Sequence, residues 1–358
     1  IPKSRAKNSS AASIESVEIC DALLENLFQS KGGMATKHLR KASELSMVMG
    51  TGAVLMEWDS GGGEEYIKDE QGRSYFTGDL RIRSLGITDF YVDTSIQDWD
   101  DTNWVIVRES INKFKLASQY PDLSERILSE KNNDSLGRTF DMFDRNTTDE
   151  IYTYKFYHKK VNGLLPDGRF CYFLENDVIM YDGENPYGDL PVFLVKPSEG
   201  LGTIYGYTPA FDLAPIQMFI DMTMSAIATN ISAHAVPNIV MESGSGLSVN
   251  NLVGGMNILE IPNGVNPPTT LDLMHTAPEV YQVTQMLERL METISGVNSV
   301  ARGNPETSLK SGVALGIVQS MAVQFISGFQ ESIINTIKEM SEFAIDYYRK
   351  FSTTERIV

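Results

Sequence analysis

Apolar positions recur along this chain with two different periods, and the order of those periods carries most of the structural information. Val280, Val283, Leu287, Leu290 and Ile294 fall at three- and four-residue intervals, the spacing of one helix face. Thr276-Ala277-Pro278-Glu279 in front of them is a capping box with Pro in the first turn, and Gly296 stands where such a helix ends. Val313, Ile317, Met321, Phe325 and Phe329 repeat the same period, and the pattern runs on to about Tyr348. At about 1.5 Å per residue that helix approaches about 60 Å, too long for the core of a small domain. An earlier helix is predicted from Thr208 as N-cap and Pro209 as its first residue, with Ile216, Phe219, Ile220, Met224, Ile227 and Ile231 on one stripe and Pro237 closing it. Between these helices, residues 236–275 change character. Ile239-Val240-Met241 and Asn257-Ile258-Leu259-Glu260-Ile261 read as short strands among Gly, Ser, Asn and Pro.

The N-terminal half mixes both periods. Helices are predicted near 12–29 and 34–49, strands near 52–58, 80–85, 89–93 and 103–109, and a short helix near 111–119. A polar stretch, 131–148, reads as loop or partial disorder. Tyr152 to Tyr157 alternates as a strand, and 170–174 and 178–181 are predicted partners in a meander. Gly61-Gly62-Gly63 reads as a turn between strands. The fold class expected is α+β, without internal repeats.

The run from Gly296 to Gly312 is the most suggestive part of the chain: a polar, glycine-punctuated loop between two helices. Its neighbours are similar to a known arrangement. The order helix, small β insertion, helix, polar loop, long helix resembles the portal proteins, or head-to-tail connectors, of tailed bacteriophages, podovirus-type. Further likeness lies in the helix that runs through Gly50-Thr51-Gly52 into a strand ending in Trp58-Asp59, and in Phe90-Tyr91-Val92-Asp93 followed by Trp104 to Glu109. It extends to Tyr120-Pro121-Asp122 and to Ser311-Gly312-Val313-Ala314. Prolines usual before Phe90 and after Asp93 are replaced by Asp89 and Thr94.

The resemblance implies a portal-type wing of helices plus β-meander over 1–207, stem helix 1 over 208–235, and a small α/β clip over 236–275. Stem helix 2 over 276–295, a tunnel loop over 296–310 and a long kinked wing helix over 311–358, leading towards a crown that the chain does not include, complete it. It implies a dodecameric ring at one capsid vertex of the virion, assembled in the host cytoplasm. Double-stranded DNA would pass through it without sequence specificity, and the terminase large subunit, a head-tail adaptor, and the major capsid and scaffolding proteins would be its partners. Val297, Asn298, Ser299, Arg302, Gly303, Asn304, Glu306 and Lys310 would then face the channel, with Gly296, Gly303, Gly312 and Gly328 as hinges. Pro237, Met241, Leu247 and Asn257 would belong to the docking surface of the clip. Gln282, Gln285, Glu288, Arg289 and Glu292 lie away from the apolar stripe of their helix. Glu288 and Glu292 are the candidates for the lumen, the alternative being a solvated face or ion pairs between subunits. Ser225, Ala226, Ala228, Thr229, Ser232 and Ala233 would let neighbouring stems approach closely.

Composition bears on this reading through charge. A chain of 358 residues with 42% hydrophobic content can bury a sizeable core, but its net charge is −17. A protein that grips phosphate clusters Lys and Arg, and none cluster so here. An acidic ring reads sequence poorly but lets duplex DNA slide. On composition alone, acidity is better explained as keeping the protein soluble, and only the resemblance favours the conduit. Within the loop, Arg302 and Lys310 are the cations available for transient phosphate contact, or each pairs with Glu306.

Chemistry of other kinds finds little support. Gly200-Leu201-Gly202-Thr203-Ile204-Tyr205-Gly206 after the apolar run Val192 to Val195 resembles a dinucleotide-binding turn, but its last Gly is one residue late and no acidic strand end follows at the right distance. No phosphate-binding Gly-x-x-x-x-Gly-Lys-Ser/Thr loop exists. His38, His158, His234 and His275 lack metal-ligand spacing, and Asp93, Asp98, Asp100 and Asp101 read as a solvated turn more than a cation site. Cys20 and Cys171 are expected to be buried thiols, and Asn8, Asn146 and Asn230 chance matches to a glycosylation motif in a non-secreted chain. No apolar run is long enough to span a bilayer, and no signal segment is present, so a soluble intracellular protein is expected, with Ile1 implying a start further upstream. No cofactor, metal or enzymatic activity is expected. The competing readings are a non-portal oligomeric helical scaffold or adaptor of a virion and, with least support, a nucleotide-dependent enzyme.

Overall fold

The computed structural model describes residues 2–6, 8, 10–29, 34–68, 74–130, 149–234, 238–243, 257–264, 278–297 and 312–352. In chain order the elements are α1 (Ala11–Phe28), α2 (Met34–Met49), β1 (Gly52–Asp59), β2 (Glu65–Lys68), β3 (Ser74–Phe76), β4 (Asp79–Gly86), β5 (Phe90–Val92) and β6 (Trp104–Asn112). There follow α3 (Lys113–Gln119), a 3₁₀ turn (Pro121–Leu123), α4 (Ser124–Ser129), β7 (Glu150–His158), β8 (Arg169–Phe173), β9 (Ile179–Gly183) and β10 (Val192–Val195). Then come β11 (Ser198–Glu199), β12 (Gly206–Tyr207), α5 (Ala210–His234), β13 (Asn238–Glu242), β14 (Asn257–Ile261), α6 (Pro278–Ser295) and α7 (Gly312–Phe351). The fold is α+β, as the pattern predicts. The β2–β3 hairpin, α4 and the β11–β12 pair were not foreseen, being too short to show a period. The chain divides into two compact units, Ile1–Thr208 with Ile326–Val358, and Pro209–Phe325.

The first unit is organised around β1. Its sheet has the order β10-β1-β4, all antiparallel, so β1 is central. Residues Gly52 through Trp58 are buried or nearly so, and the two faces of the strand serve different cores. Val54 and Met56 join Leu80, Ile82, Phe193 and Val195 under α1, α2 and α7, which contribute Leu24, Leu39, Met340 and Tyr347. Ala53 and Leu55, on the opposite face, pack with Leu85 and Val192 against Phe90, Val105, Val107 and Tyr157 of the second sheet. This period-two division of one strand between two cores stacks three layers: helices, a three-stranded sheet, and the antiparallel five-stranded meander β5-β6-β7-β8-β9.

The turn from α2 into β1 requires glycine twice. Gly50 has φ +80°, and its N–H donates to the Ser46 carbonyl at 2.8 Å, the left-handed end of a helix. A Cβ on Gly52 would lie 2.0 Å from the Ala42 carbonyl oxygen. Thr51 between them accepts the Gly206 N–H at 2.8 Å, tying this turn to β12. The departure from proline at position 89 has a comparable account. Asp89 donates its N–H to the Gly86 carbonyl at 2.9 Å and accepts the Gly86 N–H on its carboxylate at 3.0 Å. Proline would lack both groups.

Between the two sheets lies a charged cluster that periodicity does not reveal. Lys155 Nζ of β7 donates to both oxygens of Glu57 at 2.8 Å and lies 3.2 Å from Glu109 Oε2. Arg81 reaches Glu109 at 2.6 Å, Arg83 contacts the same oxygen, and the Tyr157 hydroxyl donates to Glu57. Glu57 and Glu109 are buried. Burial pushes the Glu109 carboxyl up, but Lys155, Arg83 and Arg81 outweigh it and hold the group below the ordinary carboxylate range. Burial likewise disfavours the Lys155 ammonium, and Glu57 and Glu109 reverse this, so it titrates above the usual lysine range.

Glu109→Ala leaves Lys155, Arg81 and Arg83 crowded without their shared counter-ion and should cost about 3–5 kcal/mol in denaturant unfolding. Because the Glu109 pKa is depressed on folding, its contribution is present above its ordinary value of 4.5 and lost as pH falls below it, so the acid side of the stability profile should flatten in this variant. Gly52→Ala should prevent normal folding, since the Cβ meets backbone that no side-chain rotation can clear; the expected readout is loss of the cooperative unfolding transition.

Candidate functional site

The second unit contains the residues on which the functional reading turns. Its helices α5 and α6 pack on each other. The helix α5 begins at Ala210, one residue later than predicted, because the Pro209 carbonyl accepts the Asp212 and Leu213 N–H groups at 3.1 Å and so opens the helix. The Thr208 hydroxyl donates to the Met47 carbonyl.

The predicted apolar stripe of α5 is not a core. Ile227 is buried at 7%, and Ile216 and Ile220 are half-buried, whereas Phe219, Met224 and Ile231 are exposed. Residues outside the stripe are exposed further still, Met218 at 66% and Met222 at 68%. On α6, Val283 and Leu290 of the predicted stripe are exposed, and Met286 reaches 70%. The helix α5 carries apolar residues on nearly all sides, and a two-helix packing covers only part of such a surface. The hydroxyls on these helices do not oppose further burial. Thr223, Ser225 and Thr229 of α5 donate to the carbonyls four residues back at 2.8, 2.7 and 2.8 Å, and Thr284 and Thr293 of α6 do so at 2.9 Å. Ser225, Ala226, Ala228, Thr229 and Ser232 are all exposed.

On α6, Gln282, Gln285, Glu288 and Arg289 are exposed and Glu292 is half-buried; Glu288 and Glu292 stand one turn apart. Gly296 has φ +68° and ends α6, as the pattern predicts, and Val297 beyond it is 43% exposed. Asn298, Ser299, Arg302, Gly303, Asn304, Glu306 and Lys310 lie outside the described residues. Gly312 opens α7, which is continuous through Gly328. A Cβ on Gly328 would meet nothing within 4 Å, so tight packing against another part of the described chain does not explain this glycine. In the predicted clip, β13 and β14 pair in parallel, with Asn238 opposite Asn257 and Met241 opposite Glu260. Pro237 and Leu247 lie outside the described residues.

Features weighed for other chemistry resolve into structural parts. The Gly200–Gly206 run leads into a strand, since Glu199 pairs with Gly206 and Ser198 with Tyr207 in an antiparallel bridge. A dinucleotide site needs a helix starting at that turn, so this reading is excluded here. Asp93 accepts the Ser95 N–H and hydroxyl at 3.0 and 2.6 Å, and these bonds hold its carboxyl below the ordinary range. Asp98 accepts the Asp100 N–H at 3.3 Å. His38 accepts the Ser84 N–H at 3.2 Å, and His158 Nδ1 lies 2.7 Å from the Lys159 carbonyl. Cys20, midway along α1, and Cys171, at the centre of β8, are half-buried free thiols, not buried ones; burial pushes both thiols up. His234 lies in α5, and His275 is outside the described residues. Among the described residues no helix is long and apolar enough to cross a membrane.

Sequence reasoning missed the exposed methionines Met218, Met222 and Met286, although the near-absence of a polar face on α5 was visible. It also missed the Glu57–Lys155–Glu109 cluster, for which no local signal exists. No curated protein matches the chain. The profile of the phage P22-like portal proteins does match, over residues 2–358. Because that span is nearly the whole of a 358-residue chain, the protein belongs to the phage P22-like portal protein family.

Proposed function

We propose that this portal protein closes into a dodecameric ring whose inner wall is built from α5 and α6 of every subunit, and that genome DNA passes through it during packaging and ejection. The observation that carries this reading is the exposed apolar surface of α5 and α6. Contiguous exposed apolar surface on a soluble chain marks a place where another chain sits. Its hydroxyls bond internally, and its small residues admit a close neighbour. A ring supplies each subunit with two such neighbours.

The DNA path works by shape and repulsion. Glu288 and Glu292 face the lumen, and residues 296–310 form tunnel loops in which Arg302 and Lys310 touch phosphate transiently. Gly296, Gly303 and Gly312 let the loops move, and Gly328 lets α7 bend. With a net charge of −17 the ring holds phosphate weakly, which suits a conduit. Residues 236–275, with Pro237, Met241, Leu247 and Asn257, form the clip that receives the terminase large subunit and later the head-tail adaptor. The wing meets the major capsid and scaffolding proteins. Catalysis has no part in this role.

Negative-stain microscopy of the full chain should show rings with a central hole about the width of B-DNA; compact particles of few subunits would instead indicate a helical scaffold or adaptor. Met218→Glu with Met222→Glu should abolish rings while leaving the helical circular dichroism signal intact. Binding of duplex DNA, followed by fluorescence anisotropy, should be weak and nearly independent of salt. A steep slope, at about −0.9 per phosphate neutralised, would overturn the weak-grip mechanism.

A further inference from the structure

Two surfaces of the first unit are complementary in charge and lie at opposite edges of the same sheet. One is a groove along the C-terminal half of α7. It comprises a cleft of about 770 Å³ and a second of about 510 Å³, which share Trp99, Asp100 and Glu339. Leu190, Phe193 and Phe343 give the larger cleft an apolar lining. Its acidic side is a stripe of α7, Glu339, Glu342 and Asp346, all exposed and none in an ion pair among the described residues. The cations there are engaged or peripheral. Lys159 is 3.4 Å from Asp189, Lys350 donates to the Pro186 carbonyl, and Arg349 is exposed at the rim. Burial first, and then the neighbouring Asp100 and Glu342, push the Glu339 carboxyl above the ordinary range. The Tyr347 hydroxyl, from a residue lining the same cleft, is buried without a hydrogen-bond partner among the described residues.

The other surface is the outer face of α2. Met34, Lys37, Lys41 and Val48 share one arc of this helix, with Arg40 and Met47 beside them, and all are exposed. Lys37 and Lys41 stand one turn apart with no ion pair among the described residues, and Arg40 reaches only the exposed Glu44, at 3.5 Å. His38, on the inner side, is held below the ordinary histidine range by burial and then by Lys37, Lys41 and Arg83. In a chain of net charge −17 such a face is unusual.

The sheet order fixes where these surfaces lie. In β10-β1-β4, α7 is bonded along β10, through Thr336 to the Leu194 carbonyl at 2.9 Å and through the Lys196 N–H to Ser332 at 3.3 Å. The helix α2 is bonded at the other edge, to Ser84 of β4. A head-to-tail ring requires two different patches on opposite sides of each subunit.

We propose that in the ring the cationic, methionine-bearing face of α2 docks into the acidic groove of α7 on the next copy of this chain, joining wing to wing. This rests on the ring assembly proposed above and adds a second, electrostatic contact to the apolar one between stems. Lys37 and Lys41 meet Glu339, Glu342 and Asp346, while Met47 and Val48 cover the apolar lining near Trp99. Because the partners are of opposite sign, the contact fixes which neighbour lies on which side.

The test uses two full-length variants, Lys37→Glu with Lys41→Glu, and Glu342→Lys with Asp346→Lys. In the first both surfaces are acidic; in the second both are largely basic. Each alone should need about tenfold more protein, or higher still, to form rings by native mass spectrometry. An equimolar mixture should recover rings of alternating subunits at the wild-type concentration, because every interface again pairs opposite charges. Equal circular dichroism and thermal midpoints of the unassembled chains show that folding is intact. Should either reversal misfold, Lys37→Gln with Lys41→Gln should reduce the salt sensitivity of wild-type assembly. Variants that form rings as readily as wild type, or a mixture that does not recover them, overturn this interface and leave the ring reading standing. Absence of rings from the wild type itself would overturn the ring reading, and this one with it.

Discussion

The two packed helices α5 and α6 carry more apolar surface than they can cover for each other, and the functional account depends on that imbalance. A helix of a single-chain protein ordinarily turns one stripe inward and leaves the remainder polar. Here the residues outside the expected stripe, such as Met218 and Met222, are as apolar as those within it. The side-chain hydroxyls bond to the helix's own backbone, so covering this surface strands few polar groups. Free energy is therefore still to be gained when a second chain arrives, and symmetric closure is the way identical chains realise it without leaving an open edge.

The first unit solves the opposite problem. Its central strand β1 is covered on both sides, so the core of the unit is complete within one chain and can act as a firm body. Burial of Glu57, Glu109 and Lys155 between the sheets adds directionality. An apolar core tolerates small slips, whereas a lysine shared by two carboxylates fixes one register between strands. Whether such a cluster stabilises more than apolar residues of equal volume is a separate matter; breaking it is what costs.

The resemblance drawn from sequence rested on turns whose geometry has physical causes. Gly50 and Gly52 are there because one needs positive φ and the other has a carbonyl 2.0 Å from where a Cβ would stand. Tyr120-Pro121-Asp122 marks the passage from α3 to the 3₁₀ turn. Asp89 replaces a usual proline by holding its turn with a backbone N–H and a carboxylate. Motifs of this kind are legible in sequence because each has few chemical solutions.

Local pattern determined the order of helices and strands, the glycine turns, the end of α6 at Gly296 and the forty-residue reach of α7, since periodicity and capping act within a few residues of one another. What covers each apolar face was decided only in three dimensions. Period alone cannot separate a stripe that meets its own core, as in β1, from one that stays exposed, as in α5. The same holds for ions: Glu57, Glu109 and Lys155 are ordinary strand residues until the stacking of two sheets removes their water, and no local sequence signal reports a dielectric created by residues a hundred positions away.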